Sequence, residues 1–356
     1  MNIPDTMKGV QLTGHGGLEK LVWNDTIPTP RSGPEDVLVR VLAAGVNNTD
    51  INTRIGWYSK EITDGTQDTQ PDAELDDGGW AGALDFPLIQ GGDLCGEVVA
   101  VGPSVAGIVP GMRVTCPTNQ PIPTADAPTR FVAIGSEFDG AFAQYCVVPA
   151  AQLYDVSASP LTDVEIAAIP CAHGTACNLL SRAGVGLGDR VLITGASGGV
   201  GLAAVELAKL KGAYVAGVTS IGKQEAVSAA GADSVMDRNA KPESGAFSVV
   251  IDGVGGEKWP FVIGALAPGG RYATSGAIAG PMVTADLRTI YLNDLTIYGC
   301  SYTPHEVFAE LVDLINAGRV KPLVSQVYPL AEINRAQADF AAKKYPGKLV
   351  LIPPQV

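Results

Sequence analysis

The chain has 356 residues, a length that predicts two domains at roughly 150 residues each. Hydrophobic residues make up 46% of the chain and charged residues 17%, so the composition excludes a disordered protein. Acidic side chains (37) outnumber basic ones (24), and the net charge of −13 opposes binding to nucleic acid or to an anionic membrane surface.

The targeting and redox signals point to one compartment. No basic cluster followed by an apolar run occurs near the start, and no uncharged apolar stretch is long enough to span a bilayer. We therefore expect neither a signal peptide nor a membrane span. The six cysteines lie far apart without a C-x-x-C pair, which predicts reduced thiols and a cytoplasmic protein.

The first part of the chain has the pattern of an all-β domain. Residues 1–155 contain short alternating runs separated by Gly, Pro, Asn and Asp, which is typical of a barrel-like unit. The predicted strands are Lys8–Leu12, Leu21–Trp23, Val37–Ala43, Glu97–Val101, Arg113–Cys116 and Phe142–Val148.

An acidic segment interrupts this domain. Residues 61–85 carry eight carboxylates and no Lys or Arg. A solvated surface loop is the simpler interpretation of such a charge run, and a lid over a functional site is the alternative. Trp80, within the sequence GGWAG of this segment, keeps the lid hypothesis open.

A second domain begins near Thr162, where apolar strands start to alternate with helices. Alternation of this kind predicts a parallel α/β sheet of the doubly wound type. We assign it residues 156–303 and return 304–356 to the first domain, because the sheet does not need that tail. The predicted strands are Arg190–Thr194, Tyr214–Val218, Ser234–Met236, Ser248–Asp252, Gly270–Thr274 and Leu295–Cys300, and the tail holds a helix, His305–Ala317, and a last strand, Lys348–Ile352.

The strongest motif is a glycine-rich turn between a strand and a helix. Ala196-x-Gly198-x-x-Gly201 matches the dinucleotide fingerprint, in which the glycines permit a tight turn, a close approach of the pyrophosphate and close helix packing. The helix N-terminus then faces the phosphates. The expected cofactor-binding residues of this turn are Ala196, Ser197, Gly198, Gly199, Val200 and Gly201.

The end of the next strand bears on the choice of dinucleotide. An Asp or Glu about 20 residues past the glycines would bind the ribose 2′-hydroxyl of NADH. This chain has instead hydroxyls and a cation, Thr219, Ser220 and Lys223, with Arg238 after the third strand. These groups suit a 2′-phosphate, so we expect NADPH rather than NADH, although ordinary surface charge is the alternative for the two cations.

Five segments together resemble one known family. Residues 45–58, 91–102, 175–176, 196–201 and 266–276 are similar in order and spacing to the medium-chain dehydrogenase/reductase superfamily, within it to the zinc-independent, quinone oxidoreductase-like branch. The resemblance implies a GroES-like β-barrel catalytic domain beside a Rossmann domain, with the nicotinamide in the cleft. It adds Thr175 and Gly276 to the cofactor site and implies a homodimer through Leu295–Cys300.

The resemblance also predicts that zinc is missing. Zinc-dependent members hold the catalytic ion with Cys, His and Cys, and this chain has Asn47, Gly92 and Cys171 at those places. The carboxylate that follows the His is here Asp93. A catalytic zinc needs about three protein ligands, so we expect no metal.

Without a metal, hydrogen-bond donors must stabilise the oxyanion that hydride transfer creates. Tyr58 and Asn47 are the expected donors, with loop packing and a strand-end cap as the structural alternatives. His173 is the histidine best placed for proton transfer, with a backbone-bonded helix-start residue as the alternative. Asp50 and Arg54 are expected to form a buried pair that holds the loop.

These observations predict an NADPH-dependent, zinc-independent oxidoreductase that reduces an α,β-unsaturated carbonyl compound or a quinone. A zinc-independent alcohol dehydrogenase or carbonyl reductase is the first alternative, because fold does not separate the two. The alternative of another class is an NADPH-binding protein with a regulatory or structural role. The expected partners are small-molecule substrates and a second copy of the chain.

Overall fold

The computed structural model describes residues 3–70, 75 and 77–355. They form two compact units. The first unit comprises Met1–Ile62, Gln70–Cys171 and Phe308–Val356, and the second comprises Thr63–Thr69 and Ala172–Val307. The domain ranges expected from the sequence stay a prediction.

The strands are labelled in chain order. They are β1 (Thr6–Leu12), β2 (Leu21–Pro28), β3 (Asp36–Val46), β4 (Cys95–Val101), β5 (Arg113–Thr115), β6 (Asn119–Pro121), β7 (Phe131–Ala133), β8 (Tyr145–Pro149), β9 (Tyr154–Asp155), β10 (Arg190–Ile193), β11 (Tyr214–Thr219), β12 (Ser234–Asp237), β13 (Phe247–Asp252), β14 (Leu266–Thr274), β15 (Thr296–Gly299), β16 (Val324–Pro329) and β17 (Lys348–Ile352).

The α-helices are labelled in the same way. They are α1 (Asn48–Ile55), α2 (Asp163–Ala167), α3 (Pro170–Arg182), α4 (Gly199–Leu210), α5 (Gln224–Ala229), α6 (Trp259–Ile263), α7 (Leu287–Tyr291), α8 (His305–Asn316) and α9 (Ile333–Ala341). None of the helices in the described part of the chain is long and apolar enough to cross a bilayer.

Strand β3 is the centre of the first unit. It pairs antiparallel with β4 along one side, and with β8 and then β17 along the other. Because Leu349 pairs with Val46, the start of β17 lies beside the end of β3. This register places Lys348 next to Asn47, although they are 301 residues apart in the chain.

The core of the first unit holds that strand end in place. Most of β3, including the consecutive residues 37–39, and Val98 of β4 belong to a cluster of buried side chains that includes Phe142, Leu12 and Leu94. Burial of this apolar area stabilises the unit by roughly 25 cal/mol for each Å² removed from water. The polar residues that follow β3 and precede β4 are therefore attached to a rigid support.

The second unit contains the predicted parallel sheet. Its strand order is β12-β11-β10-β13-β14-β15, every neighbouring pair is parallel, and all six strands predicted for it are confirmed within a few residues. The carboxyl ends of parallel strands meet at one edge of the sheet. The chain order reverses between β10 and β13, where ligands of doubly wound sheets bind.

Candidate functional site

The turn between β10 and α4 requires glycine at one position above all. A Cβ atom on Gly201 would lie 2.3 Å from the Gly195 carbonyl oxygen and 2.6 Å from the Ala196 Cα. The first turn of α4 is thus packed directly on the end of β10. The Ala196 amide donates to the Val218 carbonyl at 3.0 Å, which ties the turn to β11.

The other side of the turn is open. Gly198 is the N-cap of α4 and is exposed, and a Cβ atom there would make only an ordinary contact, 3.4 Å from the Gly195 oxygen. Gly199 and Val200, in the first turn of the helix, are half-buried. Backbone amides at such a helix start can receive a phosphate group.

Hydroxyl groups gather where β10 and β11 end. Thr219 is buried, and its Oγ1 donates to the Ser197 Oγ at 2.7 Å. Ser220 begins a short 3₁₀ turn, Ile221–Lys223. The glycine turn and the end of β11 therefore form one polar surface.

Two cations lie at the same edge of the sheet. The Arg238 amide donates to the Thr219 carbonyl at 2.8 Å, which places Arg238 next to the end of β11. Partial burial and the positive charge of Arg238 lower the pKa of Lys223. Two positive charges at one edge of the sheet favour an anionic ligand there.

Asp252 was missed by the sequence analysis. It ends β13, is 1% exposed, and accepts hydrogen bonds from Thr194 Oγ1, Tyr272 Oη at 2.7 Å and the Val254 amide at 2.9 Å. Its carboxylate therefore joins the ends of β10 and β13 to β14. Burial and the Asp252 charge raise the pKa of Tyr272 far above its ordinary value. An Asp at the end of a buried strand was the available signal.

Thr175 and Gly276 also belong to the second unit. Gly276 is exposed just after β14, and its carbonyl accepts from Thr274 Oγ1 at 3.1 Å, while Thr175 is half-buried on α3. Taken with the open turn, the hydroxyls and the two cations, the residues of this edge fit a nicotinamide dinucleotide.

In the first unit, Asn47 lies in a buried polar cluster. Asn47 caps α1, and its backbone amide donates to Asp50 Oδ2 at 2.7 Å. Burial, reinforced by the charge of Asp93, raises the pKa of Asp50 to about 7. The same two causes raise the pKa of Cys171 to about 12, so its thiol stays protonated at neutral pH.

Lys348 is the second residue that the sequence analysis missed. It is 3% exposed, and its Nζ bonds Asp93 Oδ2 at 2.8 Å, the Val46 carbonyl at 3.1 Å and Asn47 Oδ1. Asn47 Nδ2 donates to the same Asp93 oxygen at 2.9 Å. The other Asp93 oxygen accepts from the Cys171 amide at 2.6 Å.

These residues do not fit a catalytic zinc ion. Asn47 and Cys171 offer an amide and a protonated thiol, and Gly92 offers no side chain. A Cβ atom on Gly92 would lie 2.5 Å from Thr118 Cγ2. The Thr118 side chain therefore occupies the space that a His side chain at position 92 would need. The Lys348 ammonium bonds both Asn47 and Asp93, and its positive charge opposes a second cation.

The expected pair of Asp50 and Arg54 is wrong. The Asp50 carboxylate completes the cap of α1. Arg54 instead donates to the Gly16 carbonyl at 2.8 Å and to Gln337 Oε1 at 2.9 Å. The cap satisfies the carboxylate within one turn of helix, while the longer guanidinium reaches a different neighbour.

Tyr58 is connected to the acidic segment. Tyr58 Oη and Trp80 Nε1 both donate to Thr49 Oγ1, at 3.0 and 2.9 Å, and the two rings meet edge to face at 5.2 Å. The Thr49 hydroxyl therefore joins Tyr58 to Trp80. Of the acidic segment, Asp72, Glu74 and Asp76 lie outside the described residues, and the lid hypothesis stays a prediction.

His173 lies inside the second unit. It is 3% exposed on α3, and its Nε2 is 3.2 Å from Glu206 Oε2 on α4. Its Nδ1 has no hydrogen-bond partner among the residues that the structure describes. The neighbour is thus a carboxylate rather than the backbone, and a role in proton transfer stays a prediction.

Two family profiles match the chain. Residues 33–158 match the alcohol dehydrogenase GroES-like domain, and residues 222–351 match the zinc-binding dehydrogenase family. Together with the parallel sheet and its glycine turn, they define a GroES-like domain joined to a Rossmann-like domain.

Individual relatives match almost end to end. A crystal structure from Sinorhizobium meliloti 1021, provisionally described as an alcohol dehydrogenase, is 38% identical with a TM-score of 0.87, covering 99% of this chain and 98% of that one. Acryloyl-coenzyme A reductase of Metallosphaera sedula is 29% identical, covering 97% and 99%. The 2-octenoyl-CoA carboxylase reductase CinF, solved with NADP and 2-octenoyl-CoA, is 26% identical with a TM-score of 0.84, covering 99% and 88%.

Fold and turn thus define a two-domain nicotinamide oxidoreductase. The chain belongs to the medium-chain dehydrogenase/reductase superfamily, as the sequence resemblance indicated. It is an NAD(P)H-dependent oxidoreductase.

Proposed function

We propose that the protein is an NADPH-dependent, zinc-independent reductase that delivers hydride to the β-carbon of an α,β-unsaturated carbonyl compound, or to a quinone. The observation that carries this proposal is the cluster of Asn47, Asp93 and Lys348, in which Asn47 keeps one amide proton as a donor at a position where zinc-dependent relatives have a metal ligand. The similarity to acryloyl-coenzyme A reductase supports an unsaturated substrate.

The cofactor is held by the second unit. Bound NADPH supplies the hydride. The turn 196–201 receives its pyrophosphate, and Thr175 and Gly276 complete the site. Lys223 and Arg238, with Thr219 and Ser220, bind the 2′-phosphate through charge-assisted hydrogen bonds.

The first unit stabilises the oxygen that becomes negative. Asn47 has one amide proton left after its bond to Asp93, and the bond between the Thr49 and Tyr58 hydroxyls uses only one of their two protons. Tyr58 supports this donor set through Thr49. Donors aimed at a developing oxyanion strengthen as charge builds, so they lower the barrier for hydride transfer. His173 is the candidate that returns a proton to the α-carbon.

The experiment is a substrate panel with purified protein. Acryloyl-CoA, simple enones, quinones, aldehydes and, in the reverse direction, secondary alcohols are each followed by NADPH absorbance. We expect NADPH consumption with enones or quinones and a saturated carbonyl as the enone product. An alcohol product from an aldehyde or an enone would favour the first alternative, an alcohol dehydrogenase. The similarity to the Sinorhizobium structure supports that alternative. Tight NADPH binding without turnover would favour a regulatory protein.

We also propose a homodimer through Leu295–Cys300. Within the described residues β15 pairs only with β14, so its other edge is open. Tyr291, Leu292 and Ile297 nearby are 62%, 69% and 46% exposed. An open edge with apolar neighbours is a surface that a second copy can cover. Light scattering should give twice the 36.7 kDa chain mass, and Ile297→Lys should give the monomer.

The proposed catalytic domain comprises 1–155 and 304–356, and the proposed cofactor domain 156–303. We propose a cytoplasmic location for the protein, because the six cysteines lie far apart in the sequence without a C-x-x-C pair. Limited proteolysis that cuts near 155 and 303, and fractionation of the native cells, test these two points.

A further inference from the structure

We propose that Lys348 is a positioning residue for this reaction: together with Asp93 it locks the Asn47 amide in one orientation, which leaves one N–H of Asn47 for the substrate oxygen. The inference rests on the proposed function, because it names what holds one of the proposed donors.

The side chains of Asn47, Asp93 and Lys348 bond one another where β3 ends and β17 begins. Lys348 and Asp93 are 3% and 0% exposed, and Asn47 is 5% exposed. Lys348 Nζ bonds Asn47 Oδ1 and Asp93 Oδ2, and Asn47 Nδ2 bonds the same Asp93 oxygen. Each residue therefore contacts the other two, and the Val46 carbonyl fixes the ammonium from the side of β3 at 3.1 Å.

The chemistry of the three groups permits only one arrangement. An ammonium group can only donate hydrogen bonds, and a carboxylate can only accept them. The Asn47 oxygen must therefore face Lys348, and one amide proton must face Asp93. Turning the amide by half a rotation would bring its NH₂ group to the ammonium and its oxygen to the carboxylate, and both contacts would repel.

Packing alone does not require this pair. Removing two charges from water costs several kcal/mol per ion, and well-packed apolar residues of similar volume are often at least as stabilising. A function that needs a fixed amide does require charged partners on both sides of Asn47. The orientation of Asn47, rather than stability, is what the pair contributes.

A double-mutant cycle tests the inference. Lys348→Met is made in the wild-type chain and in Asn47→Ala, and kcat and KM are measured with acryloyl-CoA and with methyl vinyl ketone. If Lys348 acts through Asn47, Lys348→Met lowers kcat by about 10- to 100-fold in the wild type and by less than about 3-fold in Asn47→Ala. The KM for NADPH and its calorimetric affinity should change by less than about 3-fold in both backgrounds.

Two outcomes overturn the inference in distinguishable ways. An equal loss of kcat from Lys348→Met in both backgrounds would show that Lys348 acts without Asn47. Full activity of Asn47→Ala would remove Asn47 from the donor set, and the proposed function would lose its main support. If Lys348→Met leaves Asp93 uncompensated and does not fold, Lys348→Met with Asp93→Asn replaces it in the same cycle, because that variant buries no charge.

Discussion

At the end of β3 a buried lysine and a buried aspartate neutralise each other, whereas two cations, Lys223 and Arg238, follow the carboxyl ends of β11 and β12. Lys348 and Asp93 are 2.8 Å apart and share Asn47 as a third partner. In the second unit, the charge of Arg238 helps to lower the pKa of Lys223. Lys348 and Asp93 are thus an ion pair of opposite charges, while Lys223 and Arg238 are like charges that act on each other.

The paired charges of Lys348 and Asp93 and the like charges of Lys223 and Arg238 prepare their sites for different ligands. A cluster whose charges are already paired offers a ligand only fixed hydrogen-bond donors, and these cost little reorganisation during a reaction. Two cations near a ligand site attract anionic ligands more than neutral ones, so they make binding depend on ligand charge. We therefore expect the first unit to affect turnover and the second to affect cofactor choice.

The largest expected effect tests the donors of the first unit. Tyr58→Phe keeps the ring but removes the hydroxyl bonded to Thr49, so turnover should fall by about 10- to 1,000-fold while NADPH affinity stays nearly intact. Steady-state kinetics and calorimetry measure the two quantities. The matched control is Tyr328→Phe, which loses a hydroxyl bonded to Asp339. Turnover equal to wild type in Tyr58→Phe would reduce Tyr58 to loop packing.

The next effect tests the cations of the second unit. Wild type should bind NADPH at least tenfold more tightly than NADH, at roughly 1.4 kcal/mol for each factor of ten. Lys223→Ala and Arg238→Ala should each weaken NADPH binding by about 10- to 100-fold and barely alter NADH binding.

Calorimetric titrations at two salt concentrations supply the measurement, and the preference should decrease with added salt. Lys211→Ala, at the exposed C-terminal end of α4, is the control for general charge. Equal affinities of wild type for NADPH and NADH would contradict the assignment of the two cations.

A smaller effect concerns stability and pH. The pKa of Asp50 is raised to about 7 in the folded chain, so the folded state keeps a proton that the unfolded state releases near pH 4. The free energy of unfolding should therefore fall as pH rises from about 4 to about 7. Asp50 contributes at most roughly 1.4 kcal/mol per pH unit to this fall. Urea unfolding should show a flatter pH dependence in Asp50→Asn and the wild-type dependence in the exposed control Asp126→Asn.

Removal of metal ions is expected to have no effect on turnover. Because Lys348 bonds Asn47 and Asp93, a chelator should leave turnover unchanged, and elemental analysis should find no stoichiometric zinc. One zinc per chain, with activity lost on chelation, would contradict this prediction. The cluster of Asn47, Asp93 and Lys348 would then need a metal ion for activity.

The parallel sheet could be predicted because its central strands are apolar on both faces. The residues 191–193 and 249–251 are all nearly inaccessible, and such runs stand out in a sequence. The short strands β6, β7 and β9 have two or three residues, too few for alternation to show, and they were missed.

The cluster around Asn47 could be predicted only in part. Asn47 and Asp93 lie in motifs with a family likeness, but Lys348 comes beside them only through the pairing of β17 with β3. Arg54, one turn after Asp50 on α1, suggested a local pair, yet its partners are Gly16 and Gln337. Long-range partners are determined by tertiary packing, which one sequence does not display.

The pairing of β17 with β3 also sets an order of events during synthesis. Asp50 and Asp93 leave the ribosome early, while Lys348 follows only after every residue of the second unit has been made. Nascent chains usually fold from the N-terminal domain onward. Here the first unit cannot pair Asp93 with its cation until Lys348 has been made, so the second unit can finish folding before the first one closes.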